Sequence, residues 1–230
     1  MKNLILLMCL ICVNVAFAKK DSLYSFKWLD DGEKVFVIQN QEYTKSGKFS
    51  IDVQIIDSEG SAFQDTLGVG LVANFFFNEN WGIDVSYKHY LNDNNQDLTN
   101  LLEYPTQAIK PLVSKVDSVI SAHLLWTPFY GKINTFNKIH YFDWGLGLGV
   151  GQFTISSNYK TFNQSNKNLT FTSETAIGFD FKSFFKFYAT ENINIGIEYH
   201  LSGVSTITQN DGSTSLLTFN DILASIGWVF

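Results

Sequence analysis

The chain has 230 residues with 16 basic and 22 acidic side chains, and it is rich in phenylalanine, tyrosine and tryptophan. This mildly acidic balance argues against a nucleic-acid partner, which would need a basic face. The length suits one domain and is short for two.

The amino-terminal segment has the three parts of a secretory signal peptide. Lys2 is positively charged, residues 4–17 are almost wholly apolar, and residues 16–18 form an alanine-X-alanine cleavage motif. Both cysteines, Cys9 and Cys12, fall inside this segment and lack the preceding small residue that lipoprotein processing favours. We therefore predict removal of residues 1–18 and a mature chain without disulfides, lipid anchor, thiol-based metal site or cofactor.

Residues 19–47 differ in composition from the rest and are predicted to form a periplasmic segment that precedes a barrel at residues 48–230. The apolar run at residues 35–38 indicates packing under the barrel mouth, or alternatively a contact with a partner or a neighbouring copy.

Side chains alternate between apolar and polar with the period of a β-strand in several windows. After the signal peptide no apolar run is long enough to span a bilayer as a helix. The alternation predicts eight strands, at residues 49–56, 66–76, 81–88, 116–127, 142–151, 175–188, 193–200 and 221–230.

The connections between these strands alternate in length, as they do in outer-membrane barrels. Residues 78–80 and 190–192 are predicted inner turns, and residues 129–137 are a predicted turn of medium length. The long polar connections would face outward, together with one short outer connection at residues 57–61; the long ones are residues 91–115, 154–172 and 202–218. An even number of strands places both ends of the barrel on the inner side.

Alternation alone does not say which face is inside, so a soluble lipocalin-like barrel is the alternative to a membrane barrel. Three features favour the membrane. Residues 145, 147, 149 and 151 are glycines on the polar parity of the fifth strand, which suits a crowded lumen. The chain stops on an aromatic strand end, and aromatic residues gather near strand ends, as in two interfacial girdles: Trp81, Tyr87, Trp126, Trp144, Tyr199 and Trp228.

We therefore predict an all-β fold: an eight-stranded antiparallel transmembrane up-and-down β-barrel with an N-terminal periplasmic segment, in the outer membrane. Its last strand, with Trp228 and the terminal Phe230, resembles the assembly signal that the barrel-assembly machinery of Gram-negative bacteria recognises. Such a strand can pair edge-on with the machinery before the barrel closes.

Several short motifs resemble the outer-membrane β-barrel domain family of predatory and gliding Gram-negative bacteria. They are residues 28–30, residues 35–40 with Tyr43 and Lys45, residues 127–132, and residues 141–143 before the glycines. The resemblance implies an eight-stranded barrel, no established catalytic role, and ring-like homo-oligomers in the outer membrane.

A lumenal enzyme that modifies lipids or cleaves proteins is one alternative function, and a narrow pore is another. Ser121 and His123 are two residues apart on one strand, beyond direct hydrogen-bond reach, and His123 and His200 are predicted near opposite ends of the barrel. No metal-ligand spacing is evident. The inward candidates for such chemistry are Ser121, His123, His200, Asp84, Asp143, Asp180 and Glu198.

We favour an interior filled by charge pairs, because a buried charge must be paired or reach water. The expected pairs are Lys88 with Asp117 and Asp143 with Lys186, and Phe184 adds bulk to the lumen. An eight-stranded barrel is just wide enough for its own side chains, so neither enzyme nor pore is expected.

What remains is a structural or interaction role, with outer-membrane lipid, the assembly machinery and a second copy of the chain as predicted partners. Ser118 and Ala122 share the lipid-facing parity of the fourth strand. Small residues there would let two barrels approach closely, and they are the candidate oligomer contact.

Overall fold

The computed structural model describes residues 42–103, 111–135, 138–161, 170–207 and 213–230. The predicted signal peptide, residues 1–18, and most of the predicted periplasmic segment lie outside the described residues. No helix in the described ranges has the length and apolar character needed to cross a bilayer.

Eight antiparallel strands form one closed barrel in sequence order, with β1 hydrogen-bonded to β8. The predicted fold class is confirmed. The strands are β1 Phe49–Glu59, β2 Gln64–Phe76, β3 Trp81–Asn94, β4 Ser114–Thr135, β5 Lys138–Ser157, β6 Thr172–Tyr188, β7 Ile193–Ile207 and β8 Thr214–Val229, and one helix, α1 Gln96–Glu103, lies between β3 and β4.

The register shows how strongly the strands are staggered. Starting at Ser50 on β1 and moving from each residue to its partner on the next strand, one reaches Phe219 on β8. The direct partner of Ser50 on β8 is Val229, so the strands are offset by ten residues around the barrel. Such a stagger requires strands that tilt by about 35–45° from the barrel axis. The residues on this walk are Ser50, Asn74, Asp84, His123, Gly149, Asp180, Ser202 and Phe219.

Side chains alternate between the wall and the lumen as the sequence predicted. The glycines of β5 face inward, where neighbouring side chains leave no room for another. A Cβ on Gly149 would lie 2.3 Å from His123 Cδ2, and one on Gly145 would lie 2.4 Å from Phe184 Cζ. These glycines let bulky lumenal groups cross the narrow interior.

The prediction of a medium-length turn at residues 129–137 is wrong. β4 continues to Thr135 and β5 begins at Lys138, so that the two strands form a long hairpin. The pairing of β3 with β4 ends at Trp81 and Trp126, and the hairpin therefore projects beyond the inner rim. A bulge between Trp126 and Phe129 marks the point where the hairpin leaves the barrel wall, and Pro128, which has no N–H group, lies within it.

The inner rim also holds the described end of the N-terminal segment. The backbone N–H groups of Lys45 and Ser46 donate to the Glu79 carboxylate in the β2–β3 turn, at 2.9 and 3.1 Å. Tyr43 stacks on Tyr188 and makes an edge contact with Tyr141. Residues 42–48 thus lie across the mouth on the side of the short turns.

Candidate functional site

Charged side chains fill the middle of the lumen. Although they lie on five different strands, they meet in one network because all of them point inward. Each is at most 3 % exposed, and the members are Asp84, Lys88, Tyr90, His123, Asp180, Lys182, Glu198, His200 and Asp221.

Asp180 is the centre of this network. Its carboxylate lies 3.1 Å from His123 Nε2, 3.2 Å from His200 Nδ1 and 3.6 Å from Lys88 Nζ. The Ser202 hydroxyl donates to it at 3.1 Å. Three other strands, β3, β4 and β7, are therefore joined through this one carboxylate of β6.

A second carboxylate pair continues the network towards the inner side. Asp84 lies 2.6 Å from His123 Nδ1 and 2.5 Å from Lys182 Nζ. Glu198 lies 3.5 Å from Lys182 Nζ and 3.2 Å from His200 Nε2. Each histidine thus bridges two carboxylates.

Asp221 continues the network towards the outer side. Lys88 Nζ lies 3.1 Å from its carboxylate, and the Tyr90 hydroxyl donates to the same oxygen at 2.6 Å. The tyrosine ring reaches into the apolar layer above.

The two imidazoles have different surroundings. His123 faces carboxylates with both ring nitrogens. His200 Nε2 also faces a carboxylate, but its Nδ1 lies 3.1 Å from the Lys88 ammonium, which can only donate, as well as 3.2 Å from Asp180. The ammonium groups and imidazoles of the network thus lie against its four carboxylates.

Two expectations about this interior are wrong. His123 and His200 were expected near opposite ends, yet their ring centroids are 5.8 Å apart because the stagger brings β4 and β7 to the same height. Lys88 was expected to pair with Asp117, but its ammonium lies near Asp180 and Asp221 instead. Asp117 instead accepts a hydrogen bond from Ser156, next to a bulge that shifts the register of β4.

Apolar layers close the lumen on both sides of the charges. Phe76, Leu125 and Phe184 form the inner layer. The outer layer is thicker and consists of Ile56, Tyr90, Val116, Val119, Phe153, Ile155, Val204, Phe219 and Leu223. Among the described residues, the network therefore lies between two apolar layers.

A second set of charges lies at the inner mouth. Asp143 and Lys186 are register partners as predicted, but each makes its ion pair elsewhere: Lys186 with Asp52 at 2.6 Å and Asp143 with Lys45 at 2.8 Å. Asp143 also accepts from the Tyr188 hydroxyl. Burial lowers the pKa of Lys45 from its ordinary value, and the Asp143 carboxylate opposes this effect.

One triad in the network has ligand types that suit a metal ion. The candidate ligand atoms of His123, Asp180 and His200 lie within 4.8 Å of one another. The imidazole nitrogens already face carboxylates, and the Lys88 ammonium lies 3.1 Å from His200 Nδ1. The positive charge that a metal would bring is therefore already supplied by protein groups.

Ser121 does not form a nucleophile–base pair with His123. Its hydroxyl lies 2.7 Å from the Ser86 hydroxyl and 3.4 Å from Asp180. His123 faces Asp84 and Asp180 instead. Six of the seven lumenal candidates thus lie in one buried region between the two apolar layers, and Asp143 lies apart from them at the inner mouth.

The outer wall has the opposite chemistry. Its side chains are aliphatic or aromatic over most of the barrel height, and many are more than half exposed, including Ile55, Val85, Leu148 and Ile226. Rings gather near the inner rim, where Trp81 stacks on Trp126 and Phe129 stacks on Trp144. An apolar band with such a girdle around a charged interior is the pattern of a barrel that spans a lipid bilayer.

The chain is an integral outer-membrane β-barrel. Single-chain barrels with short inner turns, long outer loops and an even strand number are of this type. Trp228 lies on the wall at the inner rim, and Phe230 beside it contacts Phe49 at a ring-centroid distance of 6.1 Å.

Ser118 and Ala122 face the lipid, as predicted for an oligomer contact. Ala122 is paired with Val85 and Val150, and Val85 is also paired with Ala73. This row of two alanines and two valines, which crosses β2 to β5, is called the small-residue track.

Neither known protein families nor curated proteins contain a match to this sequence. Solved structures with a similar fold include the attachment invasion locus protein Ail of Yersinia pestis (15% identity, 80% of this chain and 99% of that one, TM-score 0.43). Others are the N-terminal β-barrel domain of Pseudomonas aeruginosa OprF (11%, 79% and 97%, 0.45) and Neisserial surface protein A (13%, 80% and 96%, 0.43).

Proposed function

We propose that this barrel has a structural role in the outer membrane, in which copies associate through their walls into a homo-oligomeric ring that organises or encloses lipid. The observation that carries the proposal is the closed lumen. Its charged groups are paired with one another, and apolar layers lie above and below them. Function is therefore expected at the outer surfaces of the barrel.

The small-residue track is the proposed contact. Ala122 lies on it, and the rows on either side carry larger residues such as Leu124 and Ile120. Ser118 is the next lipid-facing residue of β4 beyond Ile120. Close approach along such a track supports association in lipid, where dispersion contacts rather than the hydrophobic effect hold protein surfaces together.

A ring requires a head-to-tail contact between two different faces of the barrel. β8 lies four strands from β4, and β7 and β8 present isoleucines that protrude from the wall, Ile195 and Ile226. A ridge of this kind complements a shallow track. Because every wall is apolar, the space inside such a ring would hold lipid rather than water.

The resemblance to barrels of predatory and gliding bacteria supports the same proposal, since that family implies ring-like assemblies. We also propose that the chain has no catalytic role and no nucleic-acid partner. The arrangement of Ser121, which faces Ser86 and Asp180 rather than a histidine, supports the first statement. The assembly machinery and outer-membrane lipid are the other proposed partners.

Mass photometry of protein extracted directly into lipid nanodiscs tests this proposal. We expect a discrete multiple of the monomer mass together with co-purified phospholipid. Ala122→Trp should shift the particles towards monomers, since the bulky indole side chain would fill the track. Ala122→Ser introduces only a small side chain and should preserve the oligomer. A strictly monomeric wild-type particle in nanodiscs and several mild detergents would refute the ring.

A further inference from the structure

The barrel wall has a gap at its outer end. β1 stops at Glu59, whose partner on β8 is Asn220, while β8 continues to Thr214 and pairs there with β7 alone among the described strands. On the other side of the gap, Gln64 and Asp65 of β2 pair only with β3. We call the space between the β8 edge and the start of β2 the outer slot.

The direction of the backbone groups on β8 follows from its inner end. The Val229 N–H donates to Asn192 on the β7 side, and the Phe230 N–H donates to Phe49 on β1. Neither ladder of β8 has a register shift, so successive N–H groups alternate between the two sides along the strand. The N–H groups of Leu216 and Thr218 therefore point into the outer slot.

A cavity of about 230 Å³ lies against this edge. Residues 215–217 of β8 line it, together with Thr206 of β7 and residues 60–61 of the β1–β2 connection. The cavity therefore lies at the outer mouth of the barrel, next to the β8 edge. Ala62, Phe63 and Leu112 supply further apolar lining, so the slot combines exposed backbone groups with a pocket for an apolar side chain.

The rim of the slot is acidic. Glu59 and Asp65 end the two flanking strands, and Asp93 is the register partner of Asp65. All three are exposed. Within the described ranges no salt bridge involves any of them, and Lys115 is the one basic residue that lines the adjoining cleft. Like charges at directly paired positions repel, and a cationic partner would relieve the repulsion.

We propose that the outer slot binds an extended cationic polypeptide segment by strand addition. The segment runs antiparallel to β8 beyond Gly60, which lies against Phe219. Its carbonyls accept hydrogen bonds from the Leu216 and Thr218 N–H groups, and its own N–H groups donate to the carbonyls of the same two residues, which point into the slot as well. It places one apolar side chain in the cavity and sets its basic residues against Glu59 and Asp65. Main-chain bonds supply affinity in this mode, and the pocket and charges supply selectivity.

The test uses the full chain in nanodiscs and a fluorescent seven-residue peptide of alternating valine and threonine with a lysine at each end. Fluorescence anisotropy should show saturable binding. Methylation of alternate peptide nitrogens should weaken binding by about fivefold or more, because each lost hydrogen bond costs about that much. Replacing both lysines by glutamate should abolish binding.

Leu216→Pro removes one N–H from the slot without removing a bond to β7, and Leu216→Ala is its matched control. We expect the proline variant to bind about fivefold more weakly than the alanine variant. Thr218→Pro and Thr218→Val form a second pair should Leu216→Pro fail the heat-modifiability assay for folded barrels. Equal binding by proline and control variants in a folded pair, indifference to peptide methylation, or an unsaturable signal with wild type would overturn the proposal.

Discussion

The lumen and the lipid-facing wall of this barrel have opposite chemistry. The lumen holds charged side chains that must be paired, and the wall presents apolar side chains that need no partner. Inside, carboxylates, ammonium groups and imidazoles neutralise one another around Asp180. Outside, residues such as Ile55 and Ile226 have no polar group to satisfy and remain exposed for lipid or for another barrel. The charged groups of the lumen contact one another, whereas the wall and the two rims are exposed to other molecules.

The largest effect is expected at the rim, from a change in the terminal residue. Phe230 is 66% exposed and its ring contacts only the margin of the barrel, so the folded structure should lose little stability without it. Phe230→Asp should nevertheless prevent most of the protein from inserting into the outer membrane, because it removes the aromatic strand end that the assembly machinery is expected to recognise. Outer-membrane fractionation measures the effect, with Phe230→Trp as the control. Unchanged insertion of Phe230→Asp would contradict the assembly-signal interpretation.

The lumen should respond strongly to loss of its central carboxylate. Asp180→Leu leaves Lys88, His123 and His200 without a shared counter-charge, which should cost about 3–5 kcal/mol in the free energy of unfolding. Urea unfolding in lipid vesicles measures this. Asp57→Leu, on the exposed side of β1, is the matched control and should change stability by less than about 0.5 kcal/mol. Equal effects of the two changes would mean that the network contributes little.

A smaller effect is expected from a single neutral member of the network. Ser202→Ala removes one hydroxyl that donates to Asp180 at 3.1 Å. A hydrogen bond to a charged group contributes about 1.5–3 kcal/mol, so this change should cost less than Asp180→Leu in the same unfolding assay. Ser205→Ala on the outer face of β7 is the control, and a cost for Ser202→Ala no greater than for Ser205→Ala would contradict the assignment.

The wall should show the smallest effect on stability and the clearest effect on association. Ala122→Trp adds a large apolar group at a lipid-facing position, so the unfolding free energy should change by less than about 1 kcal/mol. The oligomer should nevertheless dissociate. Loss of folded barrel in the heat-modifiability assay would show instead that the track is needed for the monomer.

The sequence allowed the fold to be predicted because period-two alternation reports directly which face each side chain occupies. The inward position of Asp84 and Glu198 and the lipid-facing position of Ser118 and Ala122 were all correct. Alternation also placed Gly149 in the lumen, where the structure shows that His123 needs the space.

The height of each residue along the barrel axis could not be predicted in this way. It depends on the stagger between strands, which is set by ladder register, by turns, and by bulges such as the one between Val116 and Ser118. The stagger assumed in the prediction was wrong by a few residues. His123 and His200 were therefore expected at opposite ends of the barrel, and Lys88 was expected to pair with Asp117. The same uncertainty hid the outer slot, because strand ends on the loop side carry no sharp sequence signal.

The most direct test of the account is a recording of ion current across planar bilayers that contain the purified full-length barrel. A lumen filled by paired charges between two apolar layers predicts no stable conductance step at any applied voltage that the bilayer tolerates. Reproducible single-channel steps from wild-type protein would contradict the closed lumen and, with it, the proposal that this barrel acts through its outer surfaces.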